Sequence, residues 1–76
     1  MLSDLAGAWA EVTAAARIRE RALRALATHP LRAADAVQLA AALVAAEDRP
    51  RGHHFVCGDL RLREAATREG FDAVGP

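Results

Sequence analysis

His54-Phe55-Val56-Cys57-Gly58-Asp59 is a short apolar run that halts at a glycine and then an aspartate, with a helical pattern starting at once. Such a run reads as a buried strand carrying a carboxylate to the C-terminal edge of a sheet, where open α/β folds place their ligands. Beyond it, Leu62, Ala65 and Ala66 mark the inner face of a helix, with Glu64 and Arg68 as an i,i+4 pair outside. Gly70 is placed for a left-handed C-cap, and Phe71 can supply the hydrophobic contact that goes with it. Asp72-Ala73-Val74 then reads as a second short strand, ended by Gly75-Pro76. Strand, helix and strand make a βαβ unit, with parallel strands and a right-handed crossover.

Upstream of the first strand, Glu47 to Gly52 is a charged loop carrying both Pro50 and Gly52. Before the loop, a helix is expected from about Leu31 to Glu47. It is apolar at every position from Ala36 to Ala46 except Gln38, which predicts burial on most sides and layers on both faces. Thr28-His29-Pro30 makes a tight corner, because the residue before a proline is pushed out of the α region. From Ala14 to Thr28, Ile18, Ala22, Ala25 and Leu26 share one face, and Arg17, Arg21 and Arg24 the other. That arginine row reads as a solvated face, since Glu20 interrupts it and no aromatic residue is interleaved. Leu2, Leu5, Trp9 and Val12 form an apolar stripe on a first helix of about Ser3 to Glu11, with Trp9 assigned to the core. The β-branched pair Val12-Thr13 marks a break after it, although no glycine or proline enforces one. The sum is an α/β fold of about four helices with a C-terminal parallel βαβ unit.

Seventy-six residues form one domain with a thin core, because much of the 53% apolar content is alanine. All ten basic residues are arginine and ten acids balance them, so no bulk cationic field recruits nucleic acid or anionic lipid. Any RNA contact must be local. The lone Cys57 cannot form an internal disulfide, and its place in an apolar run suits a reducing cytoplasm. Asp4 interrupts any secretion-signal pattern after Met1, and the Ala36 to Ala46 segment is well short of the roughly 20 residues that cross a bilayer. The expectation is a cytoplasmic protein with no membrane contact.

Two acids carry the candidate chemistry. Asp59 stands where an N-cap is preferred, and capping alone accounts for it. Asp35 lies in the first turn of its helix, where the helix dipole favours a carboxylate, but it also heads an apolar segment in which a buried acid needs a partner or a metal. If that helix lies beside the Phe55 to Cys57 strand, both acids approach one sheet edge. Two carboxylates without Cys or His in register suit a hard cation such as Mg²⁺. His53 and His54 point to opposite faces of a strand and cannot chelate one ion together. Ser3 is the only serine and is remote from these acids in sequence, and no Gly-rich phosphate loop is present.

Two stretches are similar to those of a known family. His29-Pro30-Leu31-Arg32-Ala33-Ala34-Asp35-Ala36-Val37-Gln38-Leu39-Ala40 resembles the Asp-Ala-x-x-Leu-Ala helix of PIN domains, in particular the VapC-like ribonuclease toxins of toxin-antitoxin pairs. Phe55 to Ala66 resembles the family's strand, metal-binding Asp and following helix, and Glu69-Gly70-Phe71 leading to Val74 its closing turn and strand. The resemblance runs over nearly the whole chain and implies a three-layer α/β fold. It also implies that Asp35 and Asp59 are two of the acids that hold Mg²⁺ or Mn²⁺ for RNA cleavage, and that a cognate antitoxin is a partner. The family uses two further acids, an Asp ending its first strand and a Glu on an early helix. Neither Asp4 nor Glu11 stands in the matching context, so those roles are not carried over. In the family that strand lies beside the one ending at Asp59, and the resemblance therefore implies an unpaired parallel edge here. Residues 1–76 are expected to form one partial PIN-like domain that binds its cation weakly and is inactive or nearly so alone. The alternative is a non-catalytic module that binds an antitoxin or a second copy of itself.

Overall fold

The computed structural model describes the backbone of residues 2–75 and the side chains of residues 9–75. The chain is a small mixed α/β protein: α1 (Leu2–Thr28), α2 (Ala33–Ala45), β1 (His54–Val56), α3 (Leu60–Glu69) and β2 (Asp72–Val74). The strands pair in parallel, with His54 opposite Asp72, Phe55 opposite Ala73 and Val56 opposite Val74. The βαβ unit expected from the sequence is therefore present, with β1 ending at Val56, one residue before Cys57.

The first two expected helices are one. α1 runs unbroken for 27 residues through Val12-Thr13, giving three helices where four were expected. A β-branched residue costs a helix only a few tenths of a kcal/mol, too little to break one lacking glycine or proline at that point. Thr13 also returns its hydroxyl to the helix, its Oγ1 donating to the Trp9 carbonyl at 3.0 Å. The assignment of Trp9 to the core fails with the break, since its surface is 75% exposed. At about 1.5 Å per residue, α1 is roughly twice as long as the 13-residue α2 against which it lies. Among its described side chains the buried ones, Ala22 and Ala25, lie toward the C-terminal end. The side chains of Leu2 and Leu5, placed on the same stripe, lie outside the described residues.

α2 buries Ala36, Leu39, Ala40 and Leu43, but Val37 is half exposed and Ala45 exposed. The expectation of a helix buried on most sides is corrected to one buried face, packed chiefly against α1 and in part against α3. Its large core neighbours are Leu62, Phe55 and Phe71, and the rest of the buried apolar set is alanine. Phe55 and Phe71 pack as a tilted pair with ring centroids 5.5 Å apart. The other sheet face is open: Val56 and Val74 are exposed, and His54 Nδ1 lies 3.3 Å from Asp72 Oδ2.

α3 ends as expected. Gly70 adopts φ 110° and the Phe71 N–H reaches back to the Ala66 carbonyl at 3.0 Å, with Phe71 buried. A Cβ at Gly70 would meet Pro50 Cγ at 3.1 Å, so loop and cap are fitted to one another. Glu64 and Arg68, expected as a pair, are both exposed and form no ion pair, as solvent screening leaves such pairs little net gain. Among the described residues no helix is long and apolar enough to cross a membrane.

Candidate functional site

α2 begins without a side-chain cap: Arg32 occupies the N-cap in extended conformation and makes no capping hydrogen bond. The helix thus starts at Ala33, two residues later than the Leu31 start expected from sequence, because Arg32 is in extended conformation. Asp35 therefore falls in the first turn, half-buried, where its charge faces the positive end of the helix dipole.

Asp59 is delivered by a more elaborate turn. Its Oδ1 accepts the Leu62 N–H at 3.0 Å, so the capping role expected from sequence is present. Cys57 shapes the approach: its N–H donates to the Val74 carbonyl at 3.0 Å, and its Sγ accepts the Asp59 N–H at 3.2 Å. Arg63 closes the turn from α3, its Nε and Nη2 donating to the Cys57 carbonyl at 3.3 and 3.2 Å. Asp59 Oδ2 makes no hydrogen bond within the described chain and is available to a ligand.

The two acids come together. Asp35 and Asp59 line one open cleft of about 340 Å³ with Pro30, Arg32, Leu60 and Arg61. Two carboxylates and two guanidinium groups give the lining no net formal charge. Neither Arg32 nor Arg61 joins an ion pair among the described residues, so both are free to meet an anion. The donor set suits a hard cation in one respect, since Mg²⁺ takes one or two carboxylates and keeps several waters or phosphate oxygens. It is sparse in another: no group of three or more His, Cys, Asp or Glu side chains that could hold a metal forms among the described residues.

Several residues that organise the site were not visible as such in the sequence. Cys57, read only as a thiol without a disulfide partner, bridges the sheet to Asp59. His29, read only as part of a corner, is buried with its Nε2 2.7 Å from Glu69 Oε2, tying the end of α1 to the end of α3. The signal for Arg63 was its place one turn into a helix that starts beside a strand end. Of the arginine row on α1, Arg17 and Arg24 are exposed as expected, whereas Arg21 reaches Asp48 at 2.6 Å and anchors the loop after α2.

Comparison of the chain with protein-family models, with curated proteins and with solved structures finds no match.

Proposed function

We infer that this chain corresponds to the C-terminal half of a PIN-type domain of the VapC-like ribonuclease toxins, acting on RNA in the cytoplasm. The observation that supports this reading best is the meeting of Asp35 and Asp59, taken from two separate motifs, in one cleft between the starts of α2 and α3. These carboxylates would hold Mg²⁺ or Mn²⁺. When bound, such an ion stabilises charge developing on a phosphodiester and acidifies a coordinated water. Asp59 serves both demands, capping α3 through Oδ1 and offering Oδ2 to the cation. Two carboxylates make a weak site, so this chain alone cleaves RNA little or not at all.

Isothermal titration with Mn²⁺ tests the pair: Asp35→Asn and Asp59→Asn should each weaken binding, and unchanged affinity in both would reduce the acids to helix-end residues. An RNA-cleavage assay with Mg²⁺ tests the activity. Cleavage is expected only when the chain is extended at its N-terminus by a segment supplying the family's further acids, and failure there sinks the nuclease reading.

The open sheet favours a second reading, a non-catalytic module that binds an antitoxin or a second copy of itself against the uncovered face. Val56 and Val74 stand side by side on an uncovered face, 74% and 43% exposed. A Val56→Asp variant that still bound the antitoxin as wild type would exclude it.

A further inference from the structure

The turn that delivers Asp59 is held by a side chain that does not line the cleft. Cys57, Gly58 and Asp59 lie between the end of β1 at Val56 and the start of α3 at Leu60, outside both elements. Arg63 spans them. Its backbone N–H donates to the Asp59 carbonyl at 2.9 Å, and its guanidinium donates twice to the Cys57 carbonyl, from Nε at 3.3 Å and from Nη2 at 3.2 Å. A charged donor makes such bonds roughly twice as strong as a neutral one. Arg63 joins no ion pair among the described residues, so its half-buried guanidinium serves this carbonyl.

Gly75 makes that placement possible. It follows the end of β2 at Val74, whose carbonyl accepts the Cys57 N–H at 3.0 Å. A Cβ built on Gly75 would fall within the guanidinium, 2.9 Å from Nε and closer still to Cζ and Nη2. Those atoms are the far end of a flexible side chain, which can swing away, and the Gly75 backbone is not in the left-handed region. An alanine here therefore leaves the fold intact and the Cys57 carbonyl without its arginine.

We propose that Arg63 is a positioning residue for Asp59, directing its carboxylate toward the cleft through Cys57, and that Gly75 keeps the guanidinium in place. The contacts run from Gly75 to Arg63, from Arg63 to the Cys57 carbonyl, and from Cys57 Sγ to the Asp59 N–H at 3.2 Å. Asp59 Oδ1 is already held by the Leu62 N–H, so the turn decides where Oδ2 stands relative to Asp35. Groups that orient a metal ligand without touching the metal change affinity by roughly 10–100-fold when removed. The effect on affinity rests on Asp35 and Asp59 forming a cation site; the effect on the turn does not.

Titration calorimetry with Mn²⁺ should show about tenfold weaker binding in Gly75→Ala and in Arg63→Met, with the urea midpoint of Gly75→Ala close to wild type. The double variant should bind no more weakly than either single one, because both remove the same contact. Arg63→Lys, which still offers the Cys57 carbonyl a charged donor, should recover part of the loss. Arg68→Met, exposed on the same helix, should bind as wild type. Wild-type affinity in Gly75→Ala overturns the proposal, and so do single losses that multiply in the double variant. Nuclear magnetic resonance of the metal-free chain covers the case in which wild type binds no Mn²⁺. The Asp59 and Leu62 amide resonances should shift in Gly75→Ala and exchange faster with solvent, while those of Ala36 and Leu39 in α2 stay in place. Asp59 and Leu62 amides that match wild type overturn the positioning role. Shifted amides without Mn²⁺ binding uphold it and sink the cation site alone.

Discussion

The N-terminal helix and the C-terminal βαβ unit are held by different means. In the βαβ unit each element is stopped and started by a specific interaction: Asp59 on the Leu62 N–H, Gly70 at φ 110°, Phe71 on Phe55, Cys57 between sheet and helix. Among its described side chains α1 has no such punctuation, and it is attached through Ile18, Ala22 and Ala25 and the Arg21–Asp48 ion pair, all in its C-terminal half. The difference teaches that local chemistry fixes boundaries, whereas an amphipathic pattern leaves open what covers it.

That contrast can be broken most severely at the core of the βαβ unit. Leu62, on the inner face of α3, is fully buried, and Leu62→Ala is expected to cost about 2–5 kcal/mol, read as a lower urea midpoint by circular dichroism. Glu69→Ala comes next. It strands the buried His29 imidazole without its partner, for a loss of about 1–3 kcal/mol in the same measurement. Gly70→Ala forces a Cβ into left-handed backbone and against Pro50, and about 1–2 kcal/mol is expected from the conformation alone. Asp59→Ala removes the cap of α3 and should cost about 0.5–2 kcal/mol. Asp59→Asn keeps a capping oxygen and should change stability less while still weakening Mn²⁺ binding. At concentrations where the chain is monomeric, Trp9→Ala should shift stability by less than about 0.5 kcal/mol. A large loss there would mean that α1 is as tightly integrated as α3, and the contrast would fall.

What could be read from the residues follows the same division. The strand before Asp59, its helix, the Gly70 cap and the closing strand were legible because each carries a residue with one strong conformational preference. The break at Val12-Thr13 was misplaced because a β-branched pair weakens a helix too little to end it. Trp9 was misplaced because periodicity shows that a face is apolar and does not show that the rest of the chain reaches it. α2 looked buried all round for the same reason: its composition would tolerate two covering layers, but the described elements cover only part of it. The meeting of Asp35 and Asp59 was legible only on the condition that the Asp35 helix lies beside the Phe55 to Cys57 strand, which the residues alone do not decide. Arg32 and Arg61 were not, because nothing in an arginine's sequence position tells a cleft from open solvent.

The contact between His29 and Glu69 has a further consequence for how the chain folds. α1 with α2, and β1 with α3 and β2, are two units built from contacts near in sequence, which form quickly at low cost in chain entropy. His29 and Glu69 are 40 residues apart and, with the contact of α2 on α3, join those units into one. The buried imidazole thus acts as a latch on cooperativity. With Glu69→Ala the chain should still unfold in one transition, but hydrogen exchange in α1 should lose protection before exchange in α3.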